Sequence, residues 1–252
     1  MQVFDFFDLT GKVAVVTGAS SGLGQGACTA LAARGALVVA VARRKNKLQA
    51  WSDTTQGETA ILEADLSDRA GLSDIASEAS KPFGKPDILI NAAGINTRQP
   101  ADEMTDELWD LTQNLNVAAP FFLAKALVPG MRSKGWGRII NFASLQSRRA
   151  LKNGISYGTS KGAVEQMTRA MAEAWSRYGI TANAIAPGFV QTELTEAVFA
   201  DLELTEKNAN QTCIGRNGEI SDMDGPMIFL CAPASNYVTG QILFVDGGYI
   251  AK

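Results

Sequence analysis

Val13-Ala14-Val15-Val16-Thr17-Gly18-Ala19-Ser20-Ser21-Gly22-Leu23-Gly24-Gln25-Gly26 is the stretch on which the fold turns. Its first five residues form a short β-branched run of the kind buried in parallel sheets. A glycine-rich turn follows, then a helical pattern ending at Arg34-Gly35, where Gly35 suits a helix C-cap. Ala36 to Ala42 (ALVVAVA) reads as a second strand. Strand, glycine turn, helix and strand make the first unit of a dinucleotide-binding fold. Gly18 permits the tight turn, Gly22 lets backbone approach a pyrophosphate, and Gly24 permits close helix–strand packing. Free N–H groups at the helix start would hold the phosphates. The spacing is wider than G-x-G-x-x-G, so by itself the turn also reads as a glycine-rich turn without a ligand.

Beyond this unit the second strand ends in Ala42-Arg43-Arg44, with no acid between Ala36 and Ala50. An acid there would accept from a ribose 2′-hydroxyl and select NAD, whereas arginine suits a 2′-phosphate. The reading is NADP(H), with NAD as the alternative; RRKNK also reads as a solvated cationic helix start. Thr59–Leu62 is a third strand, leading to Asp65 and Leu66. Asp65 is placed either to meet an adenine edge or to cap the helix after Ser67. Asp87–Asn91 is the fourth strand. Asn91 reads as a brace of the sheet centre or a ligand contact, and Ala92, Ala93 and Gly94 leave room for a flat ligand.

Thr105 to Arg132 is a long helical pattern with Asn114 and Asn116 in its middle, where asparagine has poor propensity. Facing a cleft, such a residue would bend the helix and hold a water. Arg138–Phe142 is the fifth strand and ends at Ala143-Ser144. In the next long helix Tyr157 and Lys161 stand four apart, which puts both on one face. A phenol beside an ammonium, with a hydroxyl near, is a set of parts for moving a proton. The apolar face through Val164, Met167 and Met171 suits core and subunit packing. Thr181–Ile185 is the sixth strand, closing with Pro187-Gly188. Residues 189–216 read as a polar, weakly helical lid or binding loop. A helix over Asp222–Leu230 and a strand over Gln241–Val245 complete one domain, with no repeat or linker.

Composition narrows the function. The 252 residues are 46% apolar with a net charge of −3 and mixed signs, which suits a globular core and disfavours nucleic acid as partner. Three cysteines without metal-like spacing point to a reducing compartment. No apolar run is long enough for a bilayer span, and the start MQVFDFFDLTGK lacks the features of a secretory leader, so the expected location is cytoplasmic. There is no histidine, which excludes histidine triads and histidine metal sites. Acid–base chemistry near neutral pH must therefore use Tyr, Lys, Cys or a carboxylate.

Taken together, TGASSGLG (17–24), NAAG (91–94), Asn116, Ser144, YGTSK (157–161) and Pro187-Gly188 make the chain resemble the short-chain dehydrogenase/reductase family over nearly its whole length. FASLQS, NAIAPGFVQTELT and ASNYVTGQILFVDGG resemble the branch of gluconate 5-dehydrogenase and related sugar-acid and polyol dehydrogenases. The resemblance implies a doubly wound α/β Rossmann fold, a seven-stranded parallel sheet with helices on both faces. It implies hydride transfer between a nicotinamide and an alcohol or ketone carbon. Tyr157 would be the general acid/base. Lys161 would lower the phenol pKa, as a neighbouring cation does, and hold the ribose hydroxyls. Ser144 would hold the reacting oxygen, and Asn116, with Asn114 as fallback, a relay water. Ser20, Ser21, Leu23, Asp65, Leu66, Pro187, Gly188, Val190 and Thr192 become cofactor contacts. Because position 21 is serine rather than a basic residue, a 2′-phosphate would depend on Arg43, with Arg44 beside it. The family expectation is a homotetramer.

For the substrate, Gln146, Arg148 and Arg149 follow the serine, and one arginine would pair with a sugar-acid carboxylate. The same RRALKN segment also reads as a solvated loop. Thr192, Glu193 and Arg216 would close over the ligand. Two other functions fit the sequence: a 3-oxoacyl-[acyl-carrier-protein] reductase, which uses the same catalytic parts, and a cofactor-sensing regulator without turnover. The intact set of Asn116, Ser144, Tyr157 and Lys161 argues against the second.

Overall fold

Seven parallel strands form one sheet in the order β3-β2-β1-β4-β5-β6-β7 in the computed structural model, which describes residues 5–252. Met1–Phe4, on which the expected absence of a leader partly rests, lie outside the described residues. The strands are β1 (Val13–Thr17), β2 (Leu37–Ala42), β3 (Thr59–Glu63), β4 (Ile88–Asn91), β5 (Gly137–Phe142), β6 (Ile180–Pro187) and β7 (Ile242–Val245). Each coincides with a run read from the sequence to within two residues at either end.

Alternation along the strands separates two cores. Ala14 and Val16 of β1, with Val38 and Ala40 of β2, pack under α1 (Gly22–Ala32) and, with Leu48 and Trp51, under α2 (Lys45–Thr54). Val15, Val39 and Val41 point the other way, toward α3 (Leu72–Ala79) and the helices after it. Burial on both faces is why these strands are unbroken apolar runs. The expected Thr105–Arg132 helix is not continuous. It comprises α4 (Asp106–Gln113), a π turn over Asn114–Ala118 and α5 (Ala119–Lys134). Then come α6 (Ile155–Trp175) and, inside the expected loop, α7 (Glu196–Phe199) and α8 (Leu202–Gln211). That segment is thus more helical than its composition suggests. The last helix, α9 (Asp224–Cys231), packs against α1.

The order of strands reverses between β1 and β4, and ligands of open α/β sheets bind in the crevice beyond such a switch point. The two loops there touch. A Cβ on Gly18 would lie 2.7 Å from the Ala93 nitrogen, and Gly18 has φ +67°, so only glycine fits. Thr17 Oγ1 ties the strand ends together, donating to the Ile90 carbonyl at 3.3 Å and accepting from Ala92 and Ala93 N–H at 3.1 and 3.2 Å. Among the described residues no helix is long and apolar enough to cross a membrane.

Candidate active site

The crevice holds two connected spaces. The first is a cleft of about 430 Å³ bordered by Gly18–Gly24 except Ala19, by Arg43, Arg44, Asp65 and Leu66, and by Ala92–Gly94. A Cβ on Gly24 would meet the Gly18 carbonyl oxygen at 2.4 Å, so α1 is drawn tightly against the turn and its first N–H groups face the cleft. These features fit a dinucleotide. Arg44 reaches the glycine turn: its Nη2 donates to Ser20 Oγ and Ser21 Oγ at 2.9 and 2.7 Å. Arg43, the first choice from the sequence, is exposed and near Asp65, whose carboxyl its charge helps hold below the usual range. The main cause of that depression is the Ser67 N–H, which donates to Asp65 Oδ1 at 2.9 Å, so Asp65 organises its own turn while lining the cleft. Asn91 is a structural brace: Nδ2 donates to Asn141 Oδ1, whose own amide donates to Thr168 on α6.

The second space, about 100 Å³, is lined by Ser144, Gln146, Tyr157, Pro187, Gly188, Val190, Thr192, Leu194 and Arg98. Of the expected cofactor contacts, Leu23, Tyr157, Pro187, Gly188, Val190 and Thr192 therefore border the second space, and Leu23 and Thr192 border both. Tyr157 is buried, and burial pushes its phenol up from the ordinary value. A hydrogen bond from Ser144 and the charge of Arg98 act in the opposite direction. Lys161 was expected to depress the phenol; it is absent from the groups that do so. Its Nζ stands 5.6 Å from the centre of the Tyr157 ring and donates to the Phe142 carbonyl at 2.6 Å. Burial itself pulls the Lys161 ammonium down to about 8, because desolvation disfavours the charged form.

Asn116 is buried inside the π turn and joins it to the loop after β4 and to α6. Its Oδ1 accepts from Ile95 N–H at 2.9 Å, and its Nδ2 donates to the Ile95 carbonyl at 2.9 Å and to Ser160 Oγ at 3.0 Å. Asn116 and Lys161 both border Gly94, where a Cβ would meet them at 3.2 and 3.8 Å. Wider π turns inside helices often mark functional positions.

Arg148 is removed from the substrate assignment. It is bound to Glu165 of α6, with Nη2 to Oε1 at 2.9 Å, and lies outside the pocket. Gln146 stays: its Oε1 is buried without a hydrogen-bond partner at the pocket wall. The cation in the pocket is Arg98, which the sequence reading passed over. It stands four residues beyond NAAG, in the left-handed region at φ +52°, unusual for a residue with a side chain. Its Nη2 donates to the Leu194 carbonyl at 3.0 Å. The signal was available in its place, since loops leaving a strand at the switch point carry ligand contacts.

A family model described as enoyl-(acyl carrier protein) reductase matches residues 18–250. The chain is 38% identical over 249 residues to gluconate 5-dehydrogenase of Gluconobacter oxydans, covering 97% of this chain and 96% of that one. It is 38% identical over 253 residues to 2-dehydro-3-deoxy-D-gluconate 5-dehydrogenase of Dickeya dadantii, covering all of both. The crystal structure of a gluconate 5-dehydrogenase from Burkholderia cenocepacia, in complex with NADP and tartrate, superposes with a TM-score of 0.91 at 35% identity, covering 98% of each chain.

Proposed function

Because the chain belongs to the short-chain dehydrogenase/reductase family, we propose that it interconverts a secondary alcohol and a ketone on a sugar acid, with NADP(H) preferred over NAD(H). The observation that carries this reading is the convergence of Ser144, Tyr157 and the Arg98 guanidinium on one pocket beside the glycine cleft. Arginine offers a planar pair of donors to a carboxylate, which a sugar acid has and a plain polyol lacks. NADP in the Burkholderia structure and the two arginines at the end of β2 support the choice of cofactor.

Held in the cleft by the glycine turn, NADP(H) would supply the hydride donor or acceptor. Tyr157 Oη gives its proton to the carbonyl oxygen during reduction and takes one from the alcohol during oxidation. Burial pushes the phenol up and favours the donor form that reduction uses, while the Ser144 hydrogen bond and the Arg98 charge act toward the phenolate that oxidation uses. Ser144 Oγ holds the same oxygen and fixes its approach. Lys161 would hold the ribose hydroxyls of the bound cofactor, and Asn116, which borders Gly94 beside Lys161, would hold a relay water. A pocket of about 100 Å³ is below the ~300–1,000 Å³ of ordinary ligand sites, and it adjoins the larger glycine cleft along Leu23, Thr192 and Leu194. The exposed Leu111, Phe121 and Ile155 on α4, α5 and α6 suit a homotetramer, and the cytoplasm is its expected location.

Reduced cofactor is followed at 340 nm with hexonates, keto-hexonates, polyols and 3-oxoacyl thioesters. The expected result is turnover of the acids, lost by about 10²–10⁴-fold in Tyr157→Phe with cofactor affinity kept. Arg98→Ala raises KM for acids and not for polyols. Turnover confined to acyl thioesters, or full activity in Tyr157→Phe, overturns the reading.

A further inference from the structure

The groups suited to a cofactor 2′-phosphate are already engaged by a side chain of the protein. Glu193, in the segment after β6, accepts from Arg44 Nη1 at 2.8 Å, from Lys47 Nζ at 2.5 Å and from Ser21 Oγ at 2.8 Å. Two cations and a hydroxyl converging on one carboxylate hold it well below its usual range, at about 2, so the carboxylate is charged throughout the working range of pH. Glu193 reaches them from about 150 residues along the chain, with separations of 149 from Arg44 and 146 from Lys47. It crosses the rim of the cleft to do so, and Glu193 itself lines that cleft.

We propose that Glu193 is a cofactor-selectivity residue whose carboxylate competes with the 2′-phosphate of NADP(H) for Arg44, Lys47 and Ser21. The inference rests on the preceding assignment of a phosphate site to the arginines after β2. Ser21 has a single proton to donate, so its hydroxyl serves a phosphate only after the carboxylate leaves it, and Arg44 and Lys47, which keep further N–H donors, have their charge already balanced by Glu193. If the carboxylate stays near, like charge opposes the phosphate. Either way Glu193 weakens the phosphorylated cofactor and leaves NAD(H), which carries no charge at that position, unaffected. The next residue links this to the substrate pocket, because the Leu194 carbonyl accepts from Arg98. Glu193 and Leu194 thus form a strap between the cations of the cleft and Arg98.

The test compares Glu193→Gln with wild type by calorimetric titration of 2′,5′-ADP, 5′-AMP, NADP and NAD, and measures Arg44→Ala alongside. Ion pairs with half-exposed partners are individually weak, so the expected gain is about three- to ten-fold in affinity for 2′,5′-ADP and NADP. Affinity for 5′-AMP and NAD stays as in wild type. In the Arg44→Ala background the gain from Glu193→Gln shrinks. Equal tightening of all four ligands means that the variant only loosens the strap, and overturns the proposal. Unchanged or weaker binding of 2′,5′-ADP overturns it as well. Should Arg44→Ala leave 2′,5′-ADP binding untouched, the phosphate site itself is misassigned and both readings fall.

Discussion

At the scale of single residues the site is governed by burial more than by charge. Tyr157 and Lys161 are both buried, and desolvation drives each toward its neutral form: the phenol up, the ammonium down to about 8. For Lys161 this has a consequence for stability. Between pH 8 and 10.5 the unfolded chain holds the lysine proton and the folded chain has released it, so stability rises with pH across that window. Measured as the difference between wild type and Lys161→Met, the rise amounts to on the order of 1–3 kcal/mol. The variant also loses the bond to the Phe142 carbonyl, but that is an offset independent of pH. Chemical denaturation of both proteins from pH 7 to 10.5 checks it. A difference constant with pH would mean that Lys161 titrates as an exposed lysine does.

Elements place these side chains through a few close contacts. The glycine turn and α1 act as one body because Gly24 lies against Gly18 backbone, where no rotamer change can make room. A Cβ would sit 2.4 Å from the carbonyl oxygen and 2.7 Å from the carbonyl carbon. Gly24→Ala must therefore push α1 away from the turn, and overpacking of this kind lowers Tm by roughly 2–12 °C. Binding of 5′-AMP weakens along with that of NADP, since the displaced N–H groups serve either nucleotide. Thermal unfolding and titration on the same sample check both parts. The π turn between α4 and α5 does the same service for Asn116. A turn one residue wider changes the angle at which the next side chains leave the helix, and Asn116, buried within it, reaches Ile95 and Ser160.

For the whole molecule, the sheet order sets where everything meets. β1 and β4 are neighbours though 70 residues separate Val13–Thr17 from Ile88–Asn91, and their ends carry the glycine turn and NAAG. The helices on the far side leave Leu111, Phe121 and Ile155 exposed, apolar material that a tetramer would cover. Phe121→Lys is expected to convert a species sedimenting with the mass of four chains into smaller ones. Wild type sedimenting as a single chain would refute the assembly.

Much of this was legible in the residue order because it is local. The run VAVVT, the glycine spacing and the Tyr157–Lys161 interval each lie within one strand, turn or helical turn, where backbone geometry alone decides which side chains share a face. The lack of histidine likewise confines acid–base chemistry near neutral pH to Tyr, Lys, Cys or a carboxylate without any knowledge of the tertiary structure. The partners of charged side chains were not legible. Arg148 looked free for substrate, yet Glu165 takes it, whereas Arg98 reaches the pocket from a loop whose periodicity says nothing. Arg44, not Arg43, meets the glycine turn, and its carboxylate partner lies 149 residues away. Local periodicity determined the strands, the turn and the catalytic interval. The closure of β1 on β4 and the return of the Glu193 segment over the crevice decided the charges, because distant ion pairs depend on where the packed sheet brings its loops together.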